Sequence, residues 1–275
     1  MTHTVNSNPV GEWIVCVATS HELHPLRTAL ALRVAARAPY PLYEGARGGQ
    51  RVTVLQTGIG PARARRAMAW LMAKPGRYRG VLAVGLSGAL RATLAPGTMV
   101  IGDRWLCLER AGGRQAMLRA VGPSGNRRLL DRAMRAAVDC GCAVEGGSLL
   151  TVDLVVGKAG DKQRLGAQTD ASAVDMESGA VAEAALAAGV DVVAVRVVLD
   201  ALGEPLQVSP DQYLQANGSL SVWKSGLAVA RRPHRLPGLW ALGRRGDEAM
   251  SRAARWLCCF LDSETAQSVD PTVRS

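Results

Sequence analysis

Short apolar runs rich in β-branched residues alternate along this chain with segments of helical spacing. A continuous apolar run of this kind predicts a strand buried on both faces, and strands that alternate with helices indicate βαβ units. The sequence therefore predicts an α/β fold with a central mixed, largely parallel β-sheet flanked by helices and a helical C-terminal extension. The predicted strands lie within residues 13–19, 51–60, 80–90, 98–105, 148–156 and 191–200.

The 275 residues contain no internal repeat and no linker that would divide the chain. We therefore predict a single domain over residues 12–262, with flexible termini at 1–11 and 263–275. From about Asp211 helical patterns dominate, and they end in an amphipathic helix over 238–262. Its polar face carries acidic residues as well as arginines, which favours docking on the domain over binding to an anionic membrane surface.

The formal net charge is +10, which by itself would suit a nucleic-acid partner. The arginines are scattered, however, and neither an RNA-binding aromatic pattern nor zinc-finger spacing accompanies them, so we expect no nucleic-acid partner. The longest apolar runs fall far short of the ~20 residues of a membrane-spanning helix. The N-terminus also lacks the basic and apolar regions of a signal peptide. These features predict no transmembrane segment and a cytoplasmic protein.

The sequence predicts no metal site and no organic cofactor. Its six cysteines lack paired C-x-x-C spacing, and its four histidines are too scattered to form a ligand set. The segment 58–60 has two of the glycines of a dinucleotide fingerprint, but the third glycine and the acidic residue after the next strand are missing. What remains is a helix N-terminus whose free N–H groups suit an anion or a ribose oxygen.

Three carboxylates follow the ends of predicted strands. Asp175 and Glu177 lie where one strand meets an alanine-rich helix, and Asp200 ends the next strand along the chain. Ligands of open α/β sheets bind at the carboxyl edge, so we expect Glu177 and Asp200 to face one crevice. Asp175 is as well explained as a helix cap. Glu22 follows the first strand, where a carboxylate is usually a solvated residue of a first helical turn.

The segment AVDMESGAVAEAALAAGVDVVAVRVVLD resembles the purine nucleoside phosphorylase and methylthioadenosine/adenosylhomocysteine nucleosidase superfamily. The resemblance rests on a Met-Glu pair that opens a helix, followed by a strand that carries an arginine and ends in Asp. The segments TGIGPARA, VLAVGLSGALRATLAPGTMVIGD and GGSLLTVD match further blocks of the family in the right order. The likeness covers roughly Trp13 to Asp200.

The resemblance implies cleavage of the N-glycosidic bond of a purine nucleoside by way of an oxocarbenium-like sugar. Asp200 would be the acid that protonates the departing base, and burial is expected to raise its pKa. Glu177 would bind the ribose hydroxyls, with Met176 packed against it and Arg196 orienting this corner. Glu22 would position the attacking water. The family also implies a homodimer.

Three departures from the family bear on the substrate. In the family, a serine in the turn after the central strand contacts phosphate or water, and this chain has Leu86 at that position. We include the turn residues Leu86, Ser87 and Gly88 among the substrate-binding residues. Val155 replaces an aromatic residue that stacks on the purine. The phosphate loop of the bacterial phosphorylases is absent. The first and third departures, together with Glu22, favour hydrolysis slightly over phosphorolysis, whereas Val155 bears on how the base is recognised.

Three alternatives stay open, the last of them a nucleic-acid or membrane-surface protein that uses the basic C-terminal tail. The segment RVVLDALGEPLQ and the long helical tail resemble the hopanoid-biosynthesis-associated branch of the family, which implies phosphorolysis of an adenosyl-lipid. A widened, less aromatic site would suit a large apolar 5′ substituent. The second alternative is a nucleoside-binding sensor without catalytic activity.

Overall fold

The computed structural model describes residues 11–109, 117–122, 125–206 and 236–267. The strands within these ranges are β1 (Glu12–Val17), β2 (Arg33–Ala36), β3 (Leu42–Arg47), β4 (Gln50–Gln56), β5 (Tyr78–Ala89), β6 (Met99–Glu109), β7 (Met117–Val121), β8 (Val144–Val152), β9 (Ala173–Asp175) and β10 (Val192–Asp200). The helices are α1 (Ser20–Ala29), α2 (Pro61–Met72), α3 (Arg127–Asp139), α4 (Ala159–Thr169), α5 (Ser178–Ala187) and α6 (Leu236–Gln267).

All ten strands join one mixed sheet. β1 pairs in parallel with β4 and β5, β5 pairs in parallel with β10, and β8 pairs in parallel with β6 and β9. β10 with β6 and β5 with β9 are antiparallel, and so are the pairings that add β2, β3 and β7. The predicted fold class is confirmed. The sequence did not predict that β5, β10, β6, β8 and β9 close into a ring.

Helices cover both faces of the sheet. One apolar core joins the sheet to α1, α3 and α6 through residues such as Leu26, Ala133 and Trp256. The other joins the opposite face to α2 and α5, with Met68 and Val181 among its buried residues. Alanines dominate the buried side of α5, so this helix approaches the sheet closely.

Local sequence signals set several element boundaries. Pro61 is the first residue of α2, where its missing N–H costs no hydrogen bond, and α3 ends ahead of Gly141, whose φ of 69° is a left-handed value. β8 ends at Val152 rather than at 156, so Val155 lies in the segment beyond the strand. The short strands β2, β3 and β7 and helix α4 were not predicted.

The C-terminal helix docks on the domain, as the sequence predicted. Trp256 and Phe260 are fully buried, and Trp256 Nε1 donates a hydrogen bond of 3.0 Å to the carbonyl oxygen of Ala133 in α3. In the described part of the chain, no helix combines the length and hydropathy needed to cross a membrane. Residues 1–10, 207–235 and 268–275 lie outside the described residues, and they include most of both predicted flexible ends and the predicted helical start near Asp211. Residues 263–267, predicted as part of the flexible C-terminus, belong to α6.

Candidate active site

One cavity of about 290 Å³ lies at the carboxyl ends of β1, β5, β8, β9 and β10. It collects side chains from segments far apart in the sequence, as the shared-edge argument predicted. The described lining residues are Ala18, Thr19, Glu22, Ile59, Leu86, Ser87, Gly88, Val152, Leu154, Val155, Val156, Val174, Asp175, Met176, Glu177, Leu199, Asp200, Leu206 and Leu242. Every predicted site residue except Arg196 is among them.

Arg196 lies behind this cavity and holds its acidic residues together. Its side chain is 2 % exposed, and Nε lies 2.7 Å from Asp175 Oδ2 and donates a hydrogen bond of 2.8 Å to Ser178 Oγ. Nη2 lies 3.7 Å from Glu177 Oε2. A buried guanidinium is stable only when carboxylates neutralise it, so Arg196 and these acids depend on one another.

Asp175 has a structural role in this arrangement. Its carboxylate accepts hydrogen bonds from the backbone N–H of Ser178 at 3.1 Å and from Thr151 Oγ1 at 2.7 Å. Thr151 Oγ1 in turn accepts a hydrogen bond of 2.8 Å from the N–H of Gly179. Asp175 and Thr151 therefore satisfy the first N–H groups of α5, which is the capping role that the sequence suggested for Asp175.

Glu177 lies between the N-termini of α5 and α2. It is the N-cap residue of α5, and its Oε1 accepts a hydrogen bond of 2.9 Å from the N–H of Gly60, the N-cap residue of α2. Gly60 has a φ of 99°, a conformation that favours glycine. The sequence suited this helix N-terminus to an anion or a ribose oxygen, and in the structure its N-cap N–H donates to the protein's own Glu177.

Burial raises the pKa of Glu177 to about 8. The positive charge of Arg196 and the N–H of Gly60 lower it, whereas the neighbouring acids Asp175 and Glu22 raise it. Glu177 therefore holds a proton over much of the neutral range.

Glu22 is buried, with 6 % of its surface exposed, whereas a carboxylate in a first helical turn is usually solvated. Its Oε2 accepts hydrogen bonds from the N–H groups of Ala18 at 2.8 Å and Thr19 at 3.0 Å, and Thr19 completes a capping box with it. Among the described residues, its Oε1 accepts one hydrogen bond, of 3.1 Å, from the N–H of Leu86. A carboxylate oxygen accepts two hydrogen bonds, so Oε1 retains capacity for a water molecule.

Asp200 lines the cavity opposite Gly88 in the β5–β10 register and is 3 % exposed. Its Oδ2 lies 2.5 Å from Nζ of Lys162 in α4. Burial raises the pKa of Asp200, while its ion pair with Lys162 opposes that rise. The direction agrees with the sequence-based expectation, but the lysine partner was not foreseen.

The rest of the lining is apolar, with Met176, Val155 and Leu86 among the predicted residues. The hydroxyl of Ser87 is buried and has no hydrogen-bond partner among the described residues. A buried polar atom without a partner is uncommon, so Ser87 offers a hydrogen bond to a ligand. No lysine, arginine or histidine occurs in the described lining, and the described residues contain no cluster suited to a metal ion.

Sequence reasoning missed several residues at this site, and three of them connect it to the segment after β10, to α6 and to α4. Leu206 and Leu242 close the cavity from the segment after β10 and from α6, and Lys162 supports Asp200 from outside it. Lys162 stands in a polar helix whose pattern is that of an exposed element. No local signal distinguishes it from a surface lysine, because its burial arises from the way that α4 packs.

The sequence matches the family model of the phosphorylase superfamily over residues 12–221. The chain belongs to the phosphorylase superfamily. This membership confirms the family predicted from the sequence motifs, and with it the prediction of an enzyme of that superfamily. No curated protein matches the sequence at a significant level.

Solved structures with the fold of this superfamily member include nucleosidases. Futalosine hydrolase of Helicobacter pylori has a TM-score of 0.70 at 15 % identity, covering 92 % of this chain and 98 % of the other. The methylthioadenosine/adenosylhomocysteine nucleosidase of Neisseria meningitidis, solved with methylthio-immucillin-A, has a TM-score of 0.69 at 21 % identity over 92 % and 100 %. The adenosylhomocysteine nucleosidase of Streptococcus pyogenes, solved with 5-methylthiotubericidin, has a TM-score of 0.70 at 19 % identity over 94 % and 98 %.

Proposed function

We propose that this protein hydrolyses the N-glycosidic bond of a purine nucleoside, of adenine type, that carries an apolar 5′ substituent. The observation that carries the proposal is the meeting of three buried carboxyl groups, Glu22, Glu177 and Asp200, on the wall of one apolar cavity. Breaking this bond requires an acid for the base, negative charge for the sugar and a means of activating water. Each carboxyl group suits one of these tasks.

Asp200 serves the leaving base. As the bond from C1′ to N9 breaks, its electron pair moves into the purine, and Asp200 transfers a proton to an imidazole-ring nitrogen. Its raised pKa favours the protonated form that this step requires. The resulting carboxylate is stabilised by the Lys162 ammonium at 2.5 Å.

Glu177 serves the sugar. In its carboxylate form, Glu177 accepts hydrogen bonds from the ribose hydroxyls and its negative charge stabilises the ring as it becomes cationic. A pKa of about 8 leaves part of the protein in this form near neutral pH. Met176 lines the cavity beside it, and Arg196 holds it from behind. Attraction that is stronger in the transition state than in the ground state accelerates the chemical step.

Glu22 serves the nucleophile. A water molecule bound at Oε1 attacks C1′, and Glu22 takes the proton that this water loses. The backbone N–H groups that hold Glu22 keep it in place for this step. The products are the free purine base and the 5′-substituted ribose.

The charges around the cavity support water over phosphate. Four acidic side chains line it. Of the nearby cations, Arg196 is paired with Asp175 and Glu177, and Lys162 is paired with Asp200. A phosphate dianion would therefore find no unpaired cation among the described lining residues. Leu86 also leaves the wall without the serine that the family resemblance implies at this position as a contact to phosphate or water.

Phosphorolysis of an adenosyl-lipid is a second candidate, favoured by the apolar lining. Leu154, Val156, Leu206 and Leu242 provide a surface suited to a large hydrocarbon group. The same acid and the same ribose contact would serve this reaction, with phosphate instead of water at C1′. The homodimer implied by the family stays a prediction, which sedimentation analysis would test.

The test is base release from adenosine, methylthioadenosine, adenosylhomocysteine, inosine and a 5′-alkyl adenosine, each with and without phosphate. We expect adenine release without phosphate, and the highest kcat/KM for an adenosine with an apolar 5′ group. Release that depends on phosphate would replace hydrolysis by phosphorolysis. Binding without any release would support the sensor alternative instead.

A further inference from the structure

Lys162 is a buried lysine that the proposed reaction uses only through its charge, to stabilise the Asp200 carboxylate. It is the one fully buried residue of α4, with 0 % of its side chain exposed. Its ammonium group donates to Asp200 Oδ2 at 2.5 Å, to the carbonyl oxygen of Glu204 at 2.7 Å and to the carbonyl oxygen of Ala201. An ammonium group has three N–H bonds, so all of its donors are used.

The contact with Asp200 is made through one carboxyl oxygen. Oδ2 binds Lys162, whereas Oδ1 has no hydrogen-bond partner among the described residues. Asp200 lines the cavity and Lys162 does not, so the ammonium group approaches the carboxyl from its far side. Oδ1 is therefore the oxygen left to meet a ligand.

The contacts with Ala201 and Glu204 secure the segment 201–206. This segment brings Leu206 to the cavity wall, and the side chain of Glu204 pairs with Arg245 of α6. Leu242, one turn before Arg245, lines the same cavity. One ammonium group thus connects the end of β10, the following segment and, through Glu204, the C-terminal helix.

We propose that Lys162 is a positioning residue for Asp200, holding Oδ2 so that Oδ1 faces the leaving base while it secures the segment 201–206. This inference rests on the proposed role of Asp200 as the acid. Lys162 does not touch the substrate. It acts through Asp200, by orienting the carboxyl group and by stabilising the carboxylate that proton transfer leaves behind.

The charges that face Asp200 predict how its titration depends on Lys162. Burial raises the pKa of Asp200, Lys162 in α4 lowers it, Glu204 raises it and Arg245 in α6 lowers it. Removing the Lys162 charge therefore raises the pKa further, and Asp200 keeps its proton to higher pH. A lysine that supported the fold without contacting Asp200 would leave this titration unchanged.

The first experiment compares Lys162→Met with Lys158→Met, which removes an exposed lysine just before α4. For Lys162→Met we expect kcat to fall by about 10- to 100-fold, part of the 10²- to 10⁴-fold that a general acid contributes. The alkaline limb of its pH profile should move up by about 1–3 pH units, the usual effect of an adjacent opposite charge. Lys158→Met should match the parent. A folded Lys162→Met protein whose alkaline limb does not move would overturn the proposal.

The second experiment needs no turnover. Carbon-detected NMR follows the carboxyl titration of Asp200, assigned with Asp200→Asn, in the parent protein and in Lys162→Gln. The glutamine amide donates to the backbone carbonyls but carries no charge, so it keeps part of the anchoring if Lys162→Met does not fold. We expect a higher titration midpoint in Lys162→Gln, and an unchanged midpoint would refute the inference. If the parent releases no base, the proposed function fails while this titration still tests Lys162.

Discussion

Glu177 lies 3.7 Å from the guanidinium of Arg196, and yet burial raises its pKa to about 8. The arginine does not offset the loss of solvation, because Asp175 takes its closest contact at 2.7 Å and adds its own negative charge. A carboxyl group with this pKa is mostly protonated at neutral pH, and a cationic sugar beside it favours the ionised form. This relationship is suited to stabilising an oxocarbenium-like transition state.

The activity should depend on the ionisation of Glu177. If the carboxylate is the active form, kcat/KM rises as pH increases through about 8, where Glu177 loses its proton. Glu177→Gln should abolish this rise and lower kcat/KM by about 10²- to 10³-fold, as loss of an electrostatic contact to the transition state does. The measurement is a pH series of initial rates, with Glu44→Gln on the exposed surface of β3 as control. If kcat/KM of Glu177→Gln still rises through about pH 8, the rise belongs to the ionisation of another group.

The stability of the fold should also depend on Glu177. Its pKa is raised in the folded state, so its contribution to stability is present below the unfolded pKa and is lost as pH increases through about 8. Between pH 5 and 9 we expect this one group to lower the free energy of unfolding by roughly 2–4 kcal/mol. Urea denaturation of the parent and of Glu177→Gln at pH 5 and pH 9 measures this decrease in the free energy of unfolding. The decrease should be smaller in Glu177→Gln, and equal decreases would contradict the assignment.

Asp200→Asn should separate binding from chemistry. The amide has a similar shape but no acidic proton, so base release should fall by about 10²- to 10⁴-fold while nucleoside affinity changes little. Calorimetry with a nucleoside and single-turnover assays check the two effects separately. Asp139→Asn, an exposed substitution at the end of α3, is the matched control. Near-normal base release by Asp200→Asn would remove Asp200 from the proposed chemistry.

Gly85 allows Glu22 and Arg196 to approach β5 closely. A Cβ at position 85 would lie 2.2 Å from Arg196 Nη1 and 2.6 Å from Glu22 Oε1, so one of these buried groups would have to move. We expect Gly85→Ala to lower stability by about 1–3 kcal/mol and to suppress activity. Gly146→Ala in β8 introduces a Cβ with nothing within 4 Å and serves as the control. The free energy of unfolding and kcat/KM are measured for both variants. Equal values for Gly85→Ala and Gly146→Ala would contradict the prediction.

Much of the fold could be predicted because strand and helix signals are local. Apolar runs marked most of the central strands, Pro61 marked the start of α2, and Gly141 marked the end of α3. The edge strands β2 and β3 were missed because most of their residues are exposed and carry no clear apolar pattern. The ring formed by β5, β10, β6, β8 and β9 was missed for a different reason, since hydrogen-bond pairing between distant strands leaves no trace in local periodicity.

The sequence by itself determined which carboxyl groups stand at strand ends, and so it placed Glu177 and Asp200 at one edge of the sheet. Only the tertiary structure decided how they are held. Gly60 reaches Glu177 across 117 positions in the chain, and Lys162 reaches Asp200 across 38. Such contacts depend on how helices pack, and burial then sets the proton affinity of each group. Solvation is lost only when the chain is folded, so the sequence names the acids and the tertiary structure sets their chemistry.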